Sequence, residues 1–197
     1  MTDFHCANDI IGAGPMKADG IGPGQIIRRR SDGSLEYHHD ELTIEEPLEI
    51  RIGDKTVATT MRTPGSDEEL AAGFLLSEAI IRSSDEIKKF SRPTTAGNRD
   101  NIIVLEFAEG TKVNLNTTQR FGTISSSCGL CGKESIDAIR QSFSPIASTP
   151  FRIEIQMLLS LPDLLRKHQS DFARTGGIHA AGLFDADGKA LMVREDI

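Results

Sequence analysis

A chain of 197 residues carrying a formal net charge of −7 holds one large domain or two small ones, long enough to bury roughly 70% of its unfolded surface without disulfide staples. The acidic balance excludes a protein built around nucleic-acid phosphate, although it leaves room for a local basic pocket that takes a small anion. No apolar run approaches the ~18 residues of a membrane span, the N-terminus lacks the basic-then-apolar pattern of a secretory signal, and three cysteines are too few for a disulfide framework, so the expected compartment is reducing and cytoplasmic.

Residues 1–25 are rich in glycine and show no sustained periodicity, which predicts a mobile tail with Cys6 as a bystander. From Gln25 the pattern becomes regular. IIRRR, a turn at 31–34 (SDGS), and LEYHHDELTIEEPLEIRIG predict two or three strands, and Leu48, Ile50 and Ile52 alternate to give one buried face. A turn at Asp54-Lys55 leads into the strand VATTMR. Pro64-Gly65 ends that strand, and Ser66 with Glu69 has the spacing of a capping box. Leu70, Ala71, Phe74, Leu75 and Ile81 then recur at helical spacing, predicting a helix that ends near Ser83-Ser84.

Residues 91–100 read as a loop, IIVLEF and KVNLN as a hairpin around 108–111, and FGTIS as one more strand. KESIDAIRQSF reads as a short amphipathic helix and SPIASTP as a linker. IEIQMLL and PDLLRKHQSDF are helical in pattern, with Ser160 as an N-cap and Pro162 in a first turn. The end reads as a hairpin, IHAAGLFD and KALMVRE joined at 186–188. The fold class is therefore α/β (α+β): a tail at 1–25, a β-rich unit with one packed helix at 26–125, and a smaller α/β unit at 126–197. The second unit is small for an independent core, which suggests that a C-terminal part is missing.

The break between the units falls immediately before SSSCGLCGK, residues 125–133. Clefts between domains are common ligand sites. A CxxC supplies two thiolates to zinc, but a structural zinc site needs four ligands, and no second CxxC exists; His179 is the best remaining candidate. A thioredoxin-like pair sits after a strand and before a helix, as here, but near the start of a βαβ pattern rather than in mid-chain. Two buried thiols would suit an apolar setting. Gly129, Gly132 and the serines at 125–127 instead describe a polar loop open to close approach. A sulfur carrier needs a nucleophilic thiolate with reach, and the following helix and Lys133 would both stabilise one. Spacing alone does not select sulfur transfer over redox exchange.

Four stretches together resemble the FdhD/NarQ family of formate dehydrogenase accessory sulfurtransferases: EEPLEIRIG (45–53), MRTPGSDEELAAGFLLSEAII (61–81), SSSCGLCGK (125–133), and RTGGIHAAGLFDADG (174–188) followed by VREDI (193–197). They occur in family order over about 30–197. The resemblance implies a sulfur carrier that takes persulfide sulfur from a cysteine desulfurase. It would pass that sulfur to the molybdenum bis(guanine dinucleotide) cofactor of formate dehydrogenase. It maps the persulfide carrier to Cys128 and an assisting thiol to Cys131, and it implies a C-terminal domain like that of cytidine deaminases, incomplete here, and a homodimer. Family members continue beyond REDI, with part of the guanine nucleotide site in that continuation.

Two further readings stay open beside it: a CxxC thiol–disulfide oxidoreductase, and a non-catalytic protein that shields the cofactor. Deaminase activity is not expected, because zinc deaminases use H-x-E and P-C-x-x-C, whereas Ala181 follows His179 at the Glu position and Ser127 precedes the first cysteine. No zinc is expected, and neither nucleic acid nor membrane is an expected partner.

Arg174, Thr175, Gly176, Gly177 and His179 form a second candidate site. The glycines allow a ligand close to the backbone, Thr175 and His179 offer hydrogen bonds, and Arg174 could pair with phosphate. The residues alone read equally well as a glycine-rich strand entry with an inner histidine; the resemblance turns the stretch towards the cofactor's nucleotide. Arg62 reads first as part of a strand-to-helix turn. Arg28-Arg29-Arg30, His38-His39, Asp163, Arg166 and Lys167 read as solvated surface.

Overall fold

The computed structural model describes residues 20–94, 99–111, 123–124 and 152–197. Cys6, the cysteine stretch 125–133, the helix expected after it, the expected strand after Thr111 and the boundary expected at 125/126 lie outside the described residues.

Strand β1 (Ile21–Arg29) begins earlier than its sequence pattern, inside the stretch expected to be a tail, and pairs antiparallel with β2 (Leu35–Thr43). The turn between them closes on Asp32, whose carboxylate accepts from the backbone N–H (2.9 Å) and hydroxyl (2.6 Å) of Ser34. β3 (Glu46–Ile52) and β4 (Lys55–Arg62) form the next hairpin, followed by helix α1 (Asp67–Ser77), β5 (Ile87–Ser91), β6 (Ile102–Phe107) and the short β7 (Thr123–Ile124). These strands make one mixed sheet in the order β5-β6-β3-β4-β7. β6 and β7 run parallel to β3 and β4 respectively.

The core lies where α1 covers this sheet. Leu48 and Ile50 of β3, Val57 of β4, and Ile103 and Leu105 of β6 meet Ala71 and Leu75 of α1, with Ile80 and Ile81 closing one end. Each of the valine, leucine and isoleucine side chains contributes about 1.5–3 kcal/mol when withdrawn from water. The alternation in LEIRIG does produce the buried face, with Leu48 and Ile50 fully buried and Ile52 packed at the margin.

α1 departs from its expected ends. Ser66 is the N-cap residue but its side chain makes no capping bond. Glu69, the other half of the expected capping box, is drawn away by Arg194, 125 positions along the chain. The helix stops at Ser77 rather than near Ser83. Ala79 adopts φ +55°, and the N–H groups of Ala79 and Ile80 bond back to the carbonyls of Leu76 (3.0 Å) and Leu75 (2.9 Å). That pairing satisfies the last carbonyls of the helix and turns Ile80 into the core.

Residues 155–175 also differ from expectation. α2 (Ile155–Arg166) is one continuous helix with Pro162 inside it and Glu154 as the N-cap residue. Ser160 is not a cap; its hydroxyl donates to the Met157 carbonyl at 2.8 Å. Half-buried Met157, Ser160, Leu161, Leu164 and Leu165 define the packed stripe, and Pro162 sits on the exposed side. Packing of that stripe outweighs the backbone bond that proline removes. The stripe faces the terminal hairpin, β8 (His179–Phe184) with β9 (Ala190–Asp196). The approach is close at Gly182, where a Cβ would stand 2.8 Å from Leu165 and 2.6 Å from Phe184. Among the described residues no helix is long and apolar enough to cross a membrane.

Candidate functional site

The strand that leads towards the cysteines fixes one side of the site. β7 pairs in parallel with β4, Thr59 beside Thr123 and Thr60 beside Ile124. Both strands therefore run to the same edge of the sheet, where β4 ends at Arg62 and the chain turns through Thr63-Pro64-Gly65 into α1.

The C-terminal elements meet the same edge. Asp196 accepts the Thr63 backbone N–H at 2.7 Å through Oδ1, and in the β8–β9 ladder Asp196 lies opposite His179. His179 itself is exposed, not the inner histidine of the alternative reading, while the preceding Ile178 is buried. The described residues thus bring the start of the RTGGIH strand, the β4–α1 turn and the exit of β7 to one corner.

The rest of RTGGIH belongs to helix α3 (Ser170–Thr175) and the turn after it. Gly176 ends the helix at φ +69°, with its N–H on the Phe172 carbonyl at 2.8 Å. Gly177 follows, where a Cβ would meet no other atom within 4 Å. Arg174 makes two hydrogen bonds to Glu41 of β2, at 2.8 and 2.5 Å, both side chains about half exposed. The Thr175 hydroxyl donates to the Asp171 carbonyl (2.8 Å) and accepts from the Thr43 hydroxyl (3.1 Å) and the Gly177 N–H (3.3 Å). Its hydrogen-bonding capacity is therefore filled within the protein. Gly176 and Gly177 leave room for a close approach, with both N–H groups bonded inside the protein, and Thr175 fastens the stretch to β2.

Arg62 occupies the other side of the corner and is 2% exposed. Its guanidinium donates to Asp67 (2.9 Å), Glu46 (3.1 Å), the Asn101 side chain (3.2 Å) and the Asp100 carbonyl (3.3 Å). Arg92 adds a second cation on Asp67 at 2.6 Å. Two cations and two carboxylates hold the start of α1, the start of β3 and the 99–101 turn together. Arg62 is spent on this structural network, in line with its reading as part of the turn, although the turn is held by the network and not by a capping box. The Thr63 hydroxyl is buried without a hydrogen-bond partner among the described residues.

The residues that the sequence reading passed over are three consecutive ones in VREDI. Arg194 reaches Glu69 on α1, Glu195 accepts the Asp171 and Phe172 N–H groups at 2.9 and 2.8 Å, and Asp196 takes Thr63. The Arg194 guanidinium holds the Glu69 carboxyl below the ordinary glutamate range. The four partners lie 23 to 133 positions away in sequence, so no local spacing signals them. Arg28-Arg29-Arg30 and His38-His39 come together on the β1–β2 hairpin as exposed residues. No cluster of three or more His, Cys, Asp or Glu placed to hold a metal ion occurs among the described residues. Cys128, Cys131 and Lys133 lie outside them.

Comparison with known proteins adds the following. Residues 43–197 match the family model described as the FdhD/NarQ family. A protein named "Sulfur carrier protein FdhD" from Streptomyces coelicolor is 44% identical over 179 residues, covering 88% of this chain and 63% of that protein. A protein of the same name from Mycolicibacterium paratuberculosis is 45% identical over 185 residues, covering 88% and 67%. The chain thus spans under two thirds of the length of the Streptomyces relative. A crystal structure of a protein from Desulfotalea psychrophila, assigned as a formate dehydrogenase accessory protein, superposes with a TM-score of 0.59 at 17% identity. That superposition covers 90% of this chain and 63% of the other, and supports the mixed, β-rich fold.

Proposed function

The chain belongs to the FdhD/NarQ family, and on that premise we propose that it is a sulfur carrier in the maturation of formate dehydrogenase. Cys128 is the carrier. Its thiolate attacks the terminal sulfur of a cysteine desulfurase persulfide; the S–S bond breaks, the desulfurase cysteine leaves as a thiolate, and Cys128 becomes the persulfide. Release as sulfide takes two electrons. Attack of the Cys131 thiolate on the Cys128 sulfur supplies them, expelling hydrosulfide and leaving a Cys128–Cys131 disulfide for a cellular dithiol to reduce. Lys133 favours the thiolate form. The acceptor is the molybdenum bis(guanine dinucleotide) cofactor, handled as substrate, with its nucleotide against the Gly176–Gly177 backbone near Arg174 and His179. Thr175 would serve there by holding the turn to β2. A cytidine-deaminase-like C-terminal domain, a domain boundary near 125/126 and a homodimer go with this reading.

The observation that carries it is the shared corner. Ile124 is four residues before Cys128, a reach of at most about 14 Å even at full extension. That length allows the thiol to reach the sheet edge where Thr63 meets Asp196, and Asp196 lies opposite His179. A carrier must meet its acceptor, and so short a connection supports a thiol that can reach the glycine turn. The test is intact-mass analysis with peptide mapping after incubation with a cysteine desulfurase and cysteine. The expected product is one reducible sulfur on Cys128, lost in Cys128→Ala. Because Cys131 can expel the sulfur and leave a disulfide, the mapping is repeated on Cys131→Ala; no sulfur gained on Cys128 in that variant would overturn the carrier reading in favour of dithiol exchange.

A further inference from the structure

We propose that Glu195 is a positioning residue for the nucleotide-facing turn, acting through α3; this rests on the reading that residues 174–179 face a guanine nucleotide. α3 is six residues long, far too short to be stable by itself. Its own N-cap residue, Gln169, makes no side-chain capping bond. The two carboxylate oxygens of Glu195 supply that cap from another element, one on the Asp171 N–H (2.9 Å) and the other on the Phe172 N–H (2.8 Å), with the Ser170 hydroxyl at 3.5 Å. Two charge-assisted bonds from one rigid strand residue fix both the position and the direction of the helix. At the other end Thr175 and Arg174 tie the helix to Thr43 and Glu41. The adjacent residue on the same strand, Asp196, is fastened to Thr63. Glu195 therefore sets where the Gly176–Gly177 backbone stands relative to the sheet corner, while touching no ligand itself.

The experiment compares the full chain with Glu195→Ala and Glu195→Gln, reading guanosine diphosphate affinity and residue-resolved amide exchange. Glu195→Ala should speed exchange at Asp171 and Phe172 by about tenfold or more and weaken guanosine diphosphate binding by a similar factor. The amides of β6 should keep their rates. Glu195→Gln retains one acceptor oxygen and should lie between the two. Unchanged exchange at Asp171 and Phe172 in Glu195→Ala would overturn the proposal, as would faster exchange there with undiminished nucleotide affinity. Should the unaltered chain bind no guanosine diphosphate, the nucleotide reading falls, and the exchange rates by themselves decide whether Glu195 positions α3.

Discussion

Ala79 is the only non-glycine described with a positive φ, at +55°. A left-handed conformation costs an L-residue about 1–2 kcal/mol, and here it is held by the two backbone bonds that end α1 and by burial of Ile80. Ala79→Gly removes the Cβ conflict at the price of a looser unfolded chain. The net gain should be about 0.5–1 kcal/mol, read as a melting temperature higher by about 1–4 °C; a lower one would show that the Cβ is not strained. The carboxylates with displaced titration give a second prediction at this scale. Hydrogen bonds from Arg51 hold Glu49 below the ordinary range, and Arg194 does the same for Glu69. Each group binds protons more weakly folded than unfolded. Its stabilisation is present above the ordinary glutamate value of about 4.3 and is lost as pH falls through the lower folded value. Urea midpoints should therefore decline below pH ~4, and Glu49→Gln should flatten that decline. Both carboxylates are partly exposed, so the slope is modest.

At the scale of elements, the legible parts were those with local causes. The hairpins follow from turns at Gly33, Gly53 and Gly188, and β3 and α1 from apolar spacing that the core uses directly. The rest depended on distant partners. The capping box at Ser66 failed because Glu69 had a stronger partner in Arg194, and α2 ran through Pro162 because the β8–β9 hairpin covers the opposite stripe. β5, IKKFS, carries two lysines that pair with Glu106 on β6; without that neighbour its sequence gives little strand signal. The Arg62 network is likewise invisible locally, yet it joins three elements. Removing the arginine leaves Asp67 buried with only Arg92 to meet it. Arg62→Met should lose about 3–5 kcal/mol, seen as a large drop in the urea midpoint, whereas Arg92→Met, at the exposed margin, should lose much less. Equal losses would mean that burial of Arg62 is not what makes the network matter.

For the whole molecule, the question is what holds the C-terminal elements against the β1–β2 hairpin, the β4–α1 turn and α1. Among the described residues four polar contacts make this join: Glu41 and Thr43 of β2 with Arg174 and Thr175, Thr63 after β4 with Asp196, and Glu69 of α1 with Arg194. The sequence displayed their residues in RTGGIH and VREDI but not their pairing, since the partners lie 125 to 133 positions apart. Two of the four are half-exposed ion pairs, which salt screens strongly because the Debye length shrinks to about 3 Å at 1 M. Backbone bonds inside β3 and β6 have no such dependence. Raising salt at constant pH should therefore speed amide exchange in α3 and β9 while leaving β3 and β6 unchanged. Glu69→Arg at low salt should reproduce the change in β9 by setting two cations side by side, and Glu69→Arg with Arg194→Glu should reverse it. Uniform acceleration across the sheet, or a double variant that fails to recover, would mean that the ion pairs follow from the docking of the hairpin and do not help to cause it.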